Sequence, residues 1–166
     1  MTATISVIDA VLGVAAALDP VQELADVQNR GYFVDAINEF CGSPLGSPWC
    51  MNFVHYCGIN ALGASRWPLG RSGSCDVVLA RAHRDGIVSE TPTRGAVFLR
   101  INAQNRSDAQ HAGFVTQLIP TAGWRTIEGN GALNGSREGK AVVTITRGHT
   151  TDRNRYLFVD WASLVR

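Results

Sequence analysis

The feature that most constrains the fold is a change of sequence pattern near residue 90. Before it, apolar residues recur at helical spacing between capping residues, and after it short β-rich runs alternate with turn clusters. Helices first and closely spaced strands after favour an α+β fold, with N-terminal helices packed on a mainly antiparallel C-terminal sheet, over alternating βαβ units. The predicted helices cover 4–18, 19–29, 32–40, 48–61 and 74–86, and the five predicted strands cover 96–101, 113–119, 124–128, 141–147 and 156–161.

Length and composition indicate one globular domain spanning residues 1–166, with extra helices in residues 1–28. The chain is 45% hydrophobic and 17% charged, which is typical of a packed domain rather than a disordered one. Its formal net charge of +1, with arginines scattered along the chain, offers no electrostatic footprint for nucleic acid or for an acidic membrane. Neither is therefore expected as a partner.

The first eighteen residues, Met1 to Leu18, superficially resemble a signal peptide. They contain no Lys or Arg, and Asp9 interrupts the apolar stretch, so a secretory signal is rejected. A membrane span is rejected as well, because it needs roughly 20 apolar residues. The expectation is a protein synthesised in the cytoplasm without a signal peptide, in which the cysteines remain thiols unless an oxidising destination pairs them.

The run Ser47-Pro48-Trp49-Cys50 predicts a cysteine in the first turn of a helix. Proline suits the first helical position, and Ser47 can cap the helix by accepting a bond from an orphan backbone N–H. The exposed amides and the positive end of the helix dipole favour thiolate over thiol at such a site. Cys50 is therefore a candidate nucleophile.

A base for Cys50 must come from elsewhere in the chain. His55 lies five residues further on, about 140° around the helix, and cannot easily reach the sulfur. His111 opens a predicted strand, and Glu128 ends the next one, so an antiparallel hairpin would bring the two together. Glu128 would then orient the imidazole and stabilise its charged form, as the third member of a triad does.

These motifs, in this order, resemble those of the CHAP domains, the cysteine, histidine-dependent amidohydrolases/peptidases, which are papain-like and related to the NlpC-type cell-wall peptidases. The resemblance covers about residues 29–147. One departure is Gly95-Ala96, where the family usually has Gly-Asp, so the hydrogen bond of that aspartate must be absent or replaced. The matching segments are Asn29-Arg30-Gly31, Ser47 to Phe53 with Cys57, His111 to Val115, Thr126 to Asn130 and Gly135 to Gly139.

The resemblance implies hydrolysis of an amide bond in bacterial peptidoglycan, either between glycan and stem peptide (an N-acetylmuramoyl-L-alanine amidase) or within the peptide (an endopeptidase). It assigns Cys50 as nucleophile, His111 as base and Glu128 as orienting group, with Asn130 as a second polar partner. No cofactor is expected. Without a signal peptide, such an enzyme would reach the wall as a released phage endolysin or an injected antibacterial effector, with a cognate immunity or delivery protein as a further partner.

The remaining polar and aromatic residues have plainer interpretations. Cys41, Cys57 and Cys75 are interpreted as buried structural thiols. His55, His83 and His149 are interpreted as satisfied or exposed surface histidines. Trp49 and Trp124 are candidates for lining a substrate groove, although an aromatic beside a core helix is more often packing.

Three rival functions remain open. Cys41, Cys50, His55 and Cys57 could be placed around zinc, but no CxxC or HxxxH spacing supports a metal site. The chain could also be an inactive relative that binds a cell-wall peptide or a protein partner. Finally, the same triad could transfer an acyl group to an amine, because hydrolysis differs only in whether water attacks in the second step.

Overall fold

The computed structural model describes residues 6–134, 139–148 and 155–165. Within those ranges the chain forms four α-helices, a six-stranded antiparallel sheet and a short 3₁₀ helix, Trp161–Leu164, which confirms the α+β prediction. The helices are α1 (Val7–Ala17), α2 (Tyr32–Cys41), α3 (Cys50–Leu62) and α4 (Cys75–Arg84), and the strands are β1 (Val88–Ser89), β2 (Val97–Asn102), β3 (Asn105–Ile119), β4 (Gly123–Gly131), β5 (Ala141–Arg147) and β6 (Tyr156–Val159).

Local capping chemistry explains where several helices begin and end. Ser6 caps α1 by accepting a bond from the Asp9 N–H at 3.1 Å, and Ser74 caps α4 in the same way through the Val77 N–H at 3.4 Å. Helix α2 ends at Gly42, whose φ of 75° is the left-handed conformation that glycine adopts without strain. These boundaries follow from residues near each helix end.

The predicted helix over residues 19–29 is wrong. Gln22 instead forms an isolated antiparallel bridge with Ala141, at the edge of β5. The Glu23 N–H donates to the Lys140 carbonyl at 2.6 Å, which extends this pairing. Hydrogen bonds to a distant strand therefore satisfy this backbone, and they outweigh the local helix signals.

The sheet has the strand order β1-β6-β2-β3-β4-β5, and every neighbouring pair is antiparallel. It differs from the predicted five strands in number and in several boundaries. Strand β4 continues to Gly131, and β6 ends at Val159, so that Trp161 lies in the 3₁₀ helix instead. The short strand β1 adds an edge, and β3 begins at Asn105 rather than at 113, because the polar residues 105–110 pair with β2 through a bulged register. A polar strand of this kind carries no apolar alternation that sequence reading could detect.

The core is divided between the two faces of the sheet. The larger cluster lies between the helices and one face, where Val97 and Phe114 are both fully buried. A smaller cluster on the opposite face includes Phe98 and Val115, their neighbours in sequence. Alternation along each strand produces this division. Helix α3 is buried along most of its length between α1, α2 and the sheet, so its first residue is held against β3 and β4.

Residues 135–138 of the loop that resembles the family and His149 lie outside the described residues. No helix in the described ranges combines the length and the apolar character that a membrane crossing requires.

Candidate active site

Cys50 lies in the first turn of α3, as the sequence predicts, but it is the first residue of the helix and the predicted cap is wrong. Trp49 occupies the N-cap position and makes no side-chain capping bond, and the helix begins two residues later than Pro48 would place it. The Ser47 carbonyl instead accepts a bond from Asn38 Nδ2 at 3.1 Å, which fixes the approach to the helix. The sulfur of Cys50 therefore keeps its place beside the unpaired amides of a first helical turn.

Trp49 anchors the start of α3 within the core. Its side chain is fully buried, and Nε1 donates to Glu23 Oε1 at 2.8 Å. The other oxygen of Glu23 accepts from the Asn29 N–H at 2.8 Å. The indole also packs against Gly129, where an added Cβ would lie 2.8 Å from Trp49 Cζ3. These contacts hold the residue before Cys50 in place, and the ring lines no open groove in this structure.

His111 and Glu128 meet as the hairpin geometry predicts. His111 Nε2 lies 2.8 Å from Glu128 Oε2, and both side chains are fully buried. The two residues come from β3 and β4, where the pairing of Phe114 with Ile127 sets the register. A shift in the β2–β3 register also follows the Arg100–His111 pair, and such bulges re-aim the side chains beside them.

Glu128 is held on its remaining lone pairs by two further residues. Arg147 Nη2 donates to both carboxylate oxygens at 2.7 Å, and Arg147 Nε donates to Oε1 at 2.9 Å. Thr126 Oγ1 donates to Oε1 as well. Arg147 is itself fixed between aromatic rings, with its guanidinium 5.1 Å from the centre of Phe98 and 5.6 Å from that of Tyr156. The carboxylate therefore has a single permitted orientation.

Cys50 lies close to His111. Since Nε2 is taken by Glu128, Nδ1 is the nitrogen left for the sulfur, and no other described residue bonds to it. The two side chains lie close enough for each to shift the pKa of the other. Nδ1 has no hydrogen-bond partner among the described residues. A long contact of this kind does not rule out a catalytic pair, because such contacts in ligand-free enzymes often tighten only when substrate binds.

The electrostatics of the site favour a thiolate and an imidazolium. The Cys75 thiol lowers the pKa of Cys50, burial raises it, and His111 and the Ala112 N–H lower it again, leaving it well below the usual 9.0. Burial lowers the pKa of His111, but Cys50 and Glu128 outweigh burial and raise it to about 9. For Glu128, burial raises the pKa, while His111 and Arg147 bring it down to about 2.

The resulting charges alternate along a buried line from Cys50 through His111 and Glu128 to Arg147. Two negative and two positive groups neutralise each other, which is the condition under which charges can be buried without prohibitive cost. The order of groups is that of a nucleophile, a base that can move a proton, and an orienting acid. The arrangement can therefore perform nucleophilic acyl chemistry.

Asn130 and Trp124 are not brought to this line. Asn130 sits at a register shift in the β4–β5 pairing with φ of 53°, and its buried Oδ1 has no partner among the described residues. Trp124 is 4% exposed and packs edge-to-face on Tyr156 and Phe158. Like Trp49, it lines no open groove in this structure.

The other predicted structural residues have visible roles. His55 is fully buried, its Nδ1 accepts from Trp67 Nε1 at 2.9 Å, and its Nε2 lies 2.9 Å from the Ser72 carbonyl. It is a satisfied core histidine rather than a surface one, whereas His83 is exposed. Cys41 donates to the Asn52 carbonyl at 3.4 Å. Ala96 joins the smaller apolar cluster.

Sequence reading missed two residues of the site. Cys75 was interpreted as a core thiol, yet its sulfur lies 4.0 Å from that of Cys50. Cys75 follows the cap Ser74 and, like Cys50, is the first residue of a helix. This shared helix-start position is a sequence signal that could have identified Cys75 as part of the site. Arg147 ends a predicted strand, and nothing in the local sequence indicates that its guanidinium turns toward Glu128.

Across residues 6–134, 139–148 and 155–165, no group of three or more His, Cys, Asp or Glu side chains could hold a metal ion. Comparison of the chain with protein-family models, with curated proteins and with solved structures gave no match.

Proposed function

We propose that this protein is a cysteine amidohydrolase of papain-like architecture that cleaves an amide bond in bacterial peptidoglycan. The observation that carries the chemistry is the line from Cys50 at a helix N-terminus, through His111, to the clamped carboxylate of Glu128. Each group has the charge state that its role requires before substrate arrives. The peptidoglycan substrate is supported by the resemblance of the same residues to CHAP domains.

The reaction follows from the charges of the pair. The Cys50 thiolate attacks the carbonyl carbon of the amide, and the His111 imidazolium gives its proton to the leaving amine, which produces a thioester on Cys50. Neutral His111 then takes a proton from water, whose oxygen attacks the thioester and releases the acid. Glu128 keeps the ring oriented throughout. The Cys50 N–H is a candidate oxyanion donor, because amides of a first helical turn lack helical partners.

The exposure of the nucleophile is consistent with an extended substrate. Cys50 is only 6% exposed, so the scissile carbonyl has to be presented on a slender chain. A peptidoglycan stem peptide meets that requirement better than a folded protein does. Whether the bond is the one to the glycan or one within the peptide decides between an amidase and an endopeptidase.

The decisive experiment is incubation of the protein with purified peptidoglycan of several chemotypes, followed by mass spectrometry of the released fragments. A new lactyl end on the glycan identifies an amidase, and a new amino terminus within the stem identifies an endopeptidase. Adding hydroxylamine tests for acyl transfer, because it captures a thioester as a hydroxamate.

Matched variants separate chemistry from folding. Cys50→Ser should abolish release of fragments while the circular dichroism spectrum is retained, since oxygen is a weaker nucleophile of similar volume. Cys41→Ser is the control, because Cys41 lies outside the site and serine can still donate to the Asn52 carbonyl. If no chemotype yields new termini with the wild-type protein, the proposal fails and a binding module for wall peptides takes its place.

A further inference from the structure

Two cysteine sulfurs meet at the candidate site. Cys50 Sγ and Cys75 Sγ are 4.0 Å apart, and both residues are free thiols in described segments. Cys50 is the first residue of α3, and Cys75 is the first residue of α4. The nucleophile thus has a second thiol as a direct neighbour, although the proposed hydrolysis uses only one.

The two thiols are electrostatically unequal. Either sulfur could donate in this contact on geometry alone. The contact together with burial holds the pKa of Cys75 well above 9.0, whereas the pKa of Cys50 is lowered, and this difference favours Cys75 as the neutral donor. A thiolate reacts with oxidants, and a neighbouring thiol can then attack the oxidised sulfur. A reactive sulfur and a protected partner within contact distance form the arrangement of a peroxidatic and a resolving cysteine.

We propose that Cys50 and Cys75 form a reversible disulfide after a hydroperoxide oxidises Cys50, so that Cys75 acts as the resolving thiol and protects the nucleophile from irreversible oxidation. This modification site goes beyond the proposed hydrolysis. Its formation depends on the two sulfurs alone, and only its effect on turnover rests on the proposed function.

The chemistry balances in two steps. The Cys50 thiolate attacks one peroxide oxygen, the O–O bond breaks, and the leaving hydroxide takes the His111 proton to become water, which leaves Cys50 as a sulfenic acid. The Cys75 sulfur then attacks the Cys50 sulfur, the S–O bond breaks, and the hydroxyl leaves as water with the Cys75 proton. Two thiols lose two electrons and one hydroperoxide gains them. A dithiol reverses the change by thiol–disulfide exchange.

The movement required is small. An S–S bond is about 2.05 Å long, so the sulfurs must approach by about 2 Å from their 4.0 Å separation. Each cysteine is the first residue of its helix, and a change of χ1 alone moves its sulfur while the helical backbone hydrogen bonds stay in place.

The test is to treat the wild-type protein with stoichiometric hydrogen peroxide, block free thiols with N-ethylmaleimide under denaturing conditions, and map tryptic peptides without reduction. Cleavage at arginine places Cys50 in the peptide 31–66 and Cys75 in the peptide 72–81. The expected product is these two peptides joined, with N-ethylmaleimide on Cys41 and Cys57 and two hydrogens lost at the link, and separated again by dithiothreitol. Fragmentation of the joined peptides assigns the bond to Cys50 rather than Cys41 or Cys57.

Two variants sharpen the result. When Cys75→Ser and the wild type are both treated with excess hydrogen peroxide, the joined peptide should be absent from Cys75→Ser. A second peroxide molecule should there carry Cys50 from the sulfenic acid to a sulfinic acid that dithiothreitol does not reduce. Cys41→Ser is the control and should still form the link. A wild-type protein that reaches the sulfinic acid as fast as Cys75→Ser overturns the proposal. So does a wild-type protein that forms no Cys50–Cys75 link or links Cys75 to another cysteine, and this second result is read from the wild type alone.

Activity distinguishes this proposal from the previous one. Oxidised wild type should lose peptidoglycan hydrolysis and regain it with dithiothreitol. Any hydrolytic activity that Cys75→Ser shows before oxidation should be lost on oxidation and should not return with dithiothreitol. A link that forms in a protein without hydrolytic activity overturns the proposed function and leaves the disulfide standing. Conversely, a protein that hydrolyses peptidoglycan but forms no Cys50–Cys75 link overturns the disulfide proposal and leaves the proposed function standing.

Discussion

Three donors stabilise the charge on a single buried sulfur. Cys75, His111 and the Ala112 N–H all lower the pKa of Cys50, and only desolvation opposes them. Burial alone has the opposite effect on the other thiols, raising the pKa of Cys41 to about 11 and that of Cys57 well above 9.0. The four cysteines are almost equally buried, so the donors around the sulfur, and not exposure, distinguish Cys50.

This difference predicts the pH dependence of alkylation. With a lowered pKa, Cys50 should react with iodoacetamide at a rate that is already level between pH 7 and 8.5. Cys41, of which about one part in ten thousand is thiolate at pH 7, should react more slowly by at least about 10-fold and accelerate with each pH step. Peptide mapping after timed labelling measures both rates. Four equal rates, or a Cys50 rate that climbs tenfold per pH unit, would contradict the thiolate assignment.

Arg147 is expected to hold Glu128 in its ionised, oriented form. Arg147→Gln leaves a buried carboxylate without its principal counter-charge and should lower the free energy of unfolding by about 3–5 kcal/mol. Arg147→Lys keeps the charge but not the planar guanidinium that reaches both oxygens. Its free energy of unfolding should therefore fall by less than that of Arg147→Gln. Urea unfolding at pH 7 measures the free energy of unfolding of the wild type and of both variants. Equal stability of wild type and Arg147→Gln would show that the clamp contributes nothing.

At the scale of elements, the site depends on how closely α3 sits on β4. A Cβ added at Gly129 would lie 2.5 Å from Phe53 Cβ and 2.8 Å from Trp49 Cζ3, so only a residue without a side chain permits this approach. Phe53 follows Cys50 by one helical turn, and Trp49 precedes it. The glycine therefore sets the distance between the helix carrying the sulfur and the strand carrying Glu128.

Gly129→Ala should push α3 away from β4. The expected cost is about 1–3 kcal/mol of stability from overpacking, together with slower alkylation of Cys50 as the sulfur separates from His111. Gly13→Ala is the matched control, because Gly13 is exposed in α1 with nothing within 4 Å of an added Cβ. That change should stabilise the protein by about 0.5–1 kcal/mol. Thermal unfolding and the alkylation rate separate the two, and identical behaviour of both variants would refute the close-approach argument.

At the scale of the whole molecule, two buried groups link folding to pH on the acid side. Burial lowers the pKa of His55 from 6.5 to about 4, so the folded state excludes a proton that the unfolded state binds below pH 6.5. Glu128, with a pKa of about 2 against 4.5, behaves likewise at lower pH. Both contributions are present above the unfolded pKa and are lost as pH falls toward the folded one.

We therefore expect stability to fall between pH 6.5 and 4 by up to about 3 kcal/mol through His55, with a further loss from pH 4.5 to 2 through Glu128. Urea unfolding measured across that range, at constant ionic strength, gives the slope of the free energy of unfolding against pH. His55→Gln should flatten the upper part of the curve whatever its absolute stability, whereas His83→Gln, at an exposed position, should leave the slope unchanged. An unchanged slope in His55→Gln would exclude His55 as the linked group.

Much of the fold was accessible to sequence reading because its signals are local. Cap residues such as Ser74, the αL glycine Gly42 and apolar periodicity specify helices through contacts a few residues apart. The segment 19–29 was misjudged for the opposite reason, since its backbone bonds to β5, more than a hundred residues away. The start of β3 was misjudged because β2, not an apolar pattern, supplies its partners.

For the site, the sequence by itself determined the helix-start position of Cys50 and the strand positions of His111 and Glu128, because neighbouring residues encode both. Only the tertiary structure decided that Cys75 and Arg147 join them. Both act through contacts between elements distant in sequence, and a contact of that kind depends on packing and register, which no local run of residues records. The charge state of the sulfur is likewise a property of the assembled site, since the sulfur lies on α3 and its donors come from two other elements, α4 and β3.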